Sequence, residues 1–177
     1  NRRESRLIVA VPVDGTYGLL DQKLNQDLSA AEKIIEMYEL VLHERKNPDI
    51  LEKLMAFTGK YYQADRASLF LWDEKLEVWE DAVCYRDQGV MNKDQYLEVT
   101  TQEKIQPWLS YIRKNRVVYI NDKDALKKVD ERLYHDFELQ DVKDCMLCGI
   151  WCRRELLGFI CIDNPGALTE RMELLCK

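Results

Sequence analysis

Cys145, Cys148, Cys152 and Cys161 form the only cluster in the sequence whose residue types suggest metal or redox chemistry. Zinc or an iron–sulfur cluster needs three or four thiolates converging on one point. Both cysteine-bearing stretches read as strands, and on a strand Cys145 and Cys148 point to opposite faces because side chains alternate. Cys148 and Cys152 share a face but stand too far apart to chelate without help. Buried cysteine is also a common small core residue, so no metal site is expected. His43 precedes Glu44-Arg45 at a helix end, where solvation or the C-terminal dipole explains it. Tyr134-His135-Asp136 has acid–base residue types, but no serine or cysteine nucleophile on a recognisable turn accompanies it. A surface helix histidine is the expectation. Asp163-Asn164 has the oxygens a cation would want, yet a turn at a strand end accounts for both. The seven glycines include no phosphate-binding loop. No catalytic residue is assigned, and any cofactor is left unknown.

The elements that must position these residues centre on Lys143–Pro165. Two apolar runs, Cys145–Cys152 and Leu156–Ile162, flank the charged tip Arg153-Arg154-Glu155, and such runs read as strands buried on both faces. Gly158 permits a bulge or a close backbone approach, and Asn164-Pro165-Gly166 stops the second strand. A hairpin buried on both faces needs helices above and below it. It therefore belongs at the centre of a sheet.

In chain order, Arg6–Val13 has a strand composition and reads as a passive lead-in, the end of a preceding domain, or a segment docking on the main sheet. Tyr17–His43 is helical. Its Leu28, Ala31, Ile35, Tyr38 and Leu42 are spaced as an a/d seam, extended backwards by Leu20 and Leu24. Two destinations stay open for that stripe, a second copy of the chain or its own domain. Asn47 caps a second helix with Pro48 at its first position, Pro48–Tyr62, burying Leu51, Leu54, Met55, Thr58 and Tyr61. A strand follows at Ala67–Trp72, a turn at Asp73-Glu74-Lys75, and a strand at Leu76–Tyr85. Alternation puts Val78, Ala82 and Cys84 on one face of that strand and Trp79, Val83 and Tyr85 on the other. Arg86–Thr101 reads as a loop. Gln102–Asn115 is a helix burying Ile105, Trp108, Leu109 and Ile112, and Val117–Ile120 is a short strand. Asn121–Phe137 reads as one short helix with Leu126, Val129, Leu133 and Phe137 inward, and Leu168–Cys176 as a closing helix. The order predicts an α+β fold, a central antiparallel sheet with helices on both faces, preceded by a long helix. The division is a lead-in at 1–16, a signalling or dimerisation helix at 17–46 and a domain at 47–177.

Hydrophobic residues make up 46% and charged residues 33% of the chain, which is the composition of a soluble globular domain. A net charge of -6 disfavours non-specific nucleic-acid binding, and the basic run Arg113-Lys114-Asn115-Arg116 reads as a solvated helix end. No apolar stretch is long enough to span a bilayer and no signal peptide opens the sequence. Cysteines placed in strand patterns, not in loops, favour reduced thiols and a cytoplasmic setting. A start without Met and a stop inside the helical pattern Glu173–Lys177 read as a fragment, with an output domain expected beyond Lys177.

Three stretches resemble a known family. Ala64-Asp-Arg-Ala-Ser-Leu-Phe-Leu-Trp-Asp73 is similar to the first-strand signature of GAF domains. Arg116–Asp122 and Leu156–Asn164 are similar to two later strands of that family, in the same order. The resemblance covers about Asn47 to Cys176 and implies a non-catalytic sensory or regulatory module of a bacterial signalling protein, such as a diguanylate cyclase or sensor kinase. It implies a small-molecule pocket between one sheet face and Gln102–Val142, bordered by Phe70, Trp108, Ile112, Phe137, Cys148 and Ile150. Ser68 and Tyr85 would be its polar handles. The helix seam resembles signalling helices that join such modules as homodimers. The glycine-containing motif of cyclic-nucleotide-binding members is replaced by bulky Glu103–Leu109, and their asparagine–lysine–phenylalanine–aspartate signature is not legible in Asn121–Phe137. The Cys-His dipeptide for bilin attachment is absent. Two alternatives stand beside the sensor reading. One is a scaffold whose pocket is filled by Phe70, Trp72 and Trp108. The other is a GAF-like reductase of free methionine sulfoxide using Cys84 and Cys148, near which no activating base is visible.

Overall fold

The computed structural model describes residues 15–90, 99–121 and 123–166. Most of the lead-in and the expected closing helix Leu168–Cys176 lie outside the described residues. The helices are α1 (Gly15–Glu44), α2 (Ile50–Tyr62), α3 (Gln102–Lys114), α4 (Lys123–Val129) and α5 (Glu131–Gln140). The strands are β1 (Arg66–Asp73), β2 (Val78–Arg86), β3 (Val99–Thr101), β4 (Val117–Ile120), β5 (Cys145–Cys152) and β6 (Glu155–Asp163). They form one sheet in the order β3-β2-β1-β6-β5-β4, with every neighbouring pair antiparallel.

The hairpin β5–β6 and β1 occupy the middle of the sheet. Cys145–Cys148 are all buried because alternate residues enter different cores. Cys145 and Leu147 join Phe70, Trp79, Leu109, Ile112, Leu133, Phe137 and Phe159 on the side that α3, α4 and α5 cover. Met146 and Cys148 join Tyr62, Ala64, Ala67 and Ile162 on the side of α2. Two-sided burial is what a continuous apolar run demands.

Local features of the sequence settle several boundaries differently from the pattern alone. Asn47 and Pro48 form a turn, with the Asn47 side-chain oxygen accepting the Asp49 N–H at 3.0 Å, so α2 begins at Ile50. Its buried residues are Met55, Gly59 and Tyr62, while Leu51 is exposed. Met55 is buried as expected, and Leu54, Thr58 and Tyr61 are half-buried. The buried line turns toward Gly59 and Tyr62 because Gly59 lets the Tyr85 ring sit where a Cβ would stand. The polar stretch 121–140 is two helices, since the Asp130 side chain accepts the Leu133 N–H at 3.1 Å and caps a new start. β3 was not expected. It is a short edge strand paired with Val78–Glu80, inside a segment that reads as a loop.

The most consequential difference lies in β2. The pairing runs Leu69 with Val83 and then Phe70 with Asp81, so Ala82 is an extra, bulged residue. A bulge reverses alternation, and Trp79 therefore faces away from Val83 and Tyr85. Trp79 enters the α3 side and packs on Phe159 at 5.4 Å between ring centroids.

α1 carries two apolar edges. Ala30 is buried with Ile34 and Met37 half-buried, and the helix packs against α2. A 2.7 Å ion pair between Glu44 and Lys53 ties their ends. The other edge is the a/d seam, which stays open to solvent: Leu28, Ile35, Tyr38 and Leu42 are 54%, 56%, 64% and 63% exposed, and Ala31 is exposed too.

Gly158 is where the sheet tolerates no side chain. It stands opposite Leu71 and Ile150, and a Cβ on it would lie 2.6 Å from the Phe70 carbonyl oxygen. The obstacle is backbone, which cannot swing aside. Gly158→Ala is expected to lower stability by about 1–3 kcal/mol through overpacking. Urea denaturation followed by circular dichroism checks this, and an unchanged midpoint would refute it.

Candidate functional site

On the side of the sheet beneath α3 and α5, stacked rings fill most of the space. Phe70 and Phe159 are parallel at 4.8 Å, and Trp108 meets Phe137 at 5.4 Å. What is left is a cavity of about 20 Å³, lined by Phe70, Ile105, Trp108, Gln140, Val142, Phe159, Cys161 and Asp163. That is room for about one water molecule.

Polar groups gather at one end of this face. Arg66 lies opposite Asp163 across the β1–β6 pair. Its Nε donates to Asp163 Oδ2 at 2.9 Å and its terminal nitrogen stands 2.7 Å from the same oxygen. The guanidinium also reaches the Gln140 side-chain oxygen at 3.4 Å at the end of α5. Ser68 Oγ donates to Cys84 Sγ at 3.2 Å. Asp81, brought to this face by the bulge, has its carboxyl pushed up to about 6, chiefly by burial, with Arg86 and Ser68 acting in the opposite direction. Its Oδ1 is buried without a hydrogen-bond partner. A carboxyl that titrates near neutrality at an apolar wall is the kind of group that marks functional sites.

Cys145, Cys161 and Asp163 converge, with potential ligand atoms all within 4.8 Å of one another. The two sulfurs are 3.5 Å apart and Cys161 Sγ is 3.3 Å from Asp163 Oδ1. Burial raises the Cys145 thiol, while the Cys145 contact and then burial hold Cys161 well above its usual range. The pair is thus a protonated one, and Arg66 already supplies the cation that Asp163 needs. The arrangement satisfies itself as a chain of hydrogen bonds. Cys148 lies on the far side of the sheet and Cys152 is exposed at the hairpin end, so the four cysteines do not converge.

Of the residues singled out in the sequence, Ser68, Phe70, Trp108, Ile112 and Phe137 lie on one side of the sheet. Tyr85, Cys148 and Ile150 do not. Cys148 and Tyr85 pack in the α2-side core, and Ile150 follows Cys148 by alternation. Tyr85 covers Gly59 and its hydroxyl donates to Asp87 at 3.3 Å, so it is no handle for a pocket on the other side. Cys84 and Cys148 are likewise separated by the sheet, and burial raises the Cys84 thiol. A nucleophile with its resolving partner is not assembled from these two. Sequence reasoning missed Asp81, Arg66, Gln140 and Phe159. Asp81 alternates in phase with Trp79, the signal that could have found it, and Arg66 and Asp163 each stood at the end of a recognised strand. Asn164 is the expected strand-end turn residue, bonding Lys143 N at 2.7 Å and Asp65 at 2.7 Å. His43 and His135 are both exposed on helices.

The model of the GAF domain family matches residues 48–176. Among solved structures, the GAF domain of an Acinetobacter phosphoenolpyruvate-protein phosphotransferase superposes with a TM-score of 0.60 at 14% identity, covering 85% of this chain and 86% of that one. The phycocyanobilin-bound GAF domain of a cyanobacterial phytochrome does so at 0.66 and 14%, covering 81% and 86%. A phycoerythrobilin-bound GAF domain of a cyanobacterial phytochrome gives 0.65 and 13%, covering 81% and 87%. Likeness at this identity speaks for the fold. No curated protein matches the sequence.

Two outcomes follow from the polar end of the face. The Asp81 carboxyl binds its proton more tightly when folded, at about 6 against 3.8. Its contribution is therefore fully present below the unfolded value and is lost as pH rises through 6. Asp81→Asn should remove that slope and raise stability at pH 7 by about 1–2 kcal/mol, allowing for the group's partial exposure. Denaturation curves between pH 4 and 7 check it, and an unaltered pH slope in the variant would refute it. For the ion pair, Asp163→Asn alone should cost about 3–5 kcal/mol by stranding Arg66, while Arg66→Met with Asp163→Leu should recover most of the loss. Equal destabilisation in the single and double variants would contradict this.

Proposed function

The chain belongs to the GAF domain family, and from that premise we propose that it is a non-catalytic sensory or regulatory module. It pairs with a second copy through α1 and controls an output domain attached to its C-terminal side, such as a diguanylate cyclase or a kinase, in the cytoplasm of a bacterium. A small molecule on the α3 side of the sheet is the signal. No helix among the described residues is long and apolar enough to cross a membrane.

The observation that carries the reading is the division of labour on α1. Its Ala30–Ile34–Met37 edge is the buried one, so among the described residues the Leu28–Leu42 seam stays exposed and is not used in packing. Each large apolar side chain of the seam contributes about 1.5–3 kcal/mol on full burial, and several per protomer make a pair of helices favourable. Association and side-chain ordering offset part of this, so the contact is dissociable. Packed helix pairs hold discrete arrangements, which lets a change at the sheet reach a domain at the helix end or beyond it.

A second reading is favoured by the size of the inner cavity. With about 20 Å³ free, the aromatic rings themselves occupy the space a ligand would take. On that reading the domain is a dimerising scaffold with a filled inner pocket.

Ile35→Asp tests the shared part of both readings. It should shift the sedimentation equilibrium toward monomer by about tenfold or more in dissociation constant, the loss of one buried side chain per protomer, with unchanged circular dichroism. A wild-type chain that is monomeric at high concentration, or a variant that unfolds, would sink the dimer reading.

A further inference from the structure

The α3 side of the sheet has a second opening. Beyond the Phe70–Phe159 stack, the row of rings continues through Trp79 to Trp72, at 5.4 Å for each step. It surfaces at the hairpin end in a concavity of about 530 Å³. The indoles of Trp72, Trp79 and Trp151 line it, together with Arg113 from the last turn of α3 and Arg154 and Glu155 from the hairpin tip. Small-molecule sites are typically about 300–1,000 Å³, so this one is of ligand size where the inner cavity is not.

Its chemistry is one-sided. Two guanidinium groups meet a single carboxylate in a chain whose net charge is -6. Neither Arg113 nor Arg154 makes a hydrogen bond or ion pair among the described residues. Trp79 is only 3% exposed, and its indole N–H, like that of Trp151, is buried without an acceptor. Buried donors in folded proteins are normally paired, so the wall of this groove is short of acceptors. Gly149 is shaped for the Trp151 ring, since a Cβ there would lie 2.5 Å from the indole nitrogen. The ring is thereby held in place at the groove.

We propose that this groove binds a small planar aromatic anion. Its ring extends the row of rings beside Trp72 and Trp151, and its anionic group is taken by Arg113 and Arg154. Indole faces suit flat rings, and paired guanidinium groups suit a planar or tetrahedral anion with several oxygens. The inference rests on the sensory reading above and moves the ligand from the filled inner cavity to the hairpin end of the same face. There it would touch both α3 and the β5–β6 turn.

Isothermal titration calorimetry tests it with 2-naphthoate as the probe. 2-Naphthalenemethanol supplies the ring without the charge, and cyclohexanecarboxylate the charge without the ring. Saturable binding is expected for 2-naphthoate alone, weakened by added salt. Arg113→Gln or Arg154→Gln should weaken it by about tenfold or more, the effect of one charge-assisted hydrogen bond. Lys60→Gln, which removes an exposed positive charge from α2 on the opposite side of the sheet, should leave it unchanged. Both arginines are exposed, so neither substitution threatens the fold. Absence of saturable binding, equal binding of the uncharged alcohol, or indifference to both arginine substitutions would overturn the proposal. The groove is complete within one chain, so its failure leaves the dimer reading standing, and a monomeric protein would leave the groove testable.

Discussion

The ion pair of Arg66 and Asp163 holds together the parts on which the rest of the architecture depends. The two residues face each other at the end of the β1–β6 pair, where the α3-covered side of the sheet meets the end of α5. Both side chains are about nine-tenths buried. Charges so placed are tolerable only when each satisfies the other. Asn164, next in the chain, binds Lys143 and Asp65 and so clamps the start of β5 to the start of β1. The three central strands are thereby registered at one end by polar contacts. At the other end they are registered by the backbone approach of Gly158 to Phe70.

With that frame fixed, one bulged residue decides what the α3-covered face can do. Ala82 turns Trp79 and Asp81 toward α3 and leaves Tyr85 to fill the space over Gly59. A single inserted residue thus sets an indole and a carboxyl on one face and the phenol on the other. The outcome is a row of rings, Phe70, Phe159, Trp79 and Trp72, that fills the inner cavity and surfaces at the hairpin end. Filling gives rigidity and apolar burial, and it moves the free volume to where Arg113 and Arg154 stand.

The long helix shows the same economy. Two apolar edges at heptad-like spacing run along α1, and only the one bearing Ala30 is spent on α2. The larger residues of the seam remain in solvent, where their exposure is unfavourable unless another surface covers them.

The sequence by itself determined most of the elements and their order, though not the edge strand β3 or the break between α4 and α5. Continuous apolar runs demanded a doubly covered hairpin, the helical periods of α1, α2 and α3 were plain, and the motifs at Ala64–Asp73 and Leu156–Asn164 pointed to the family. These are local properties, read from period and punctuation. Tertiary structure decided which face each side chain took. Tyr85 and Trp79, in phase by simple alternation, ended on opposite sides because a bulge depends on the partner strand, and no residue type announces it. The burial of Gly59 and Tyr62 beside Met55, with Leu51 left exposed, was set by the ring of Tyr85, distant in sequence. The pairing of Cys145 with Cys161, and of Arg66 with Asp163, likewise follows from strand register. A strand's identity is written along the chain, whereas the contents of a site are fixed by which strands meet and in what register.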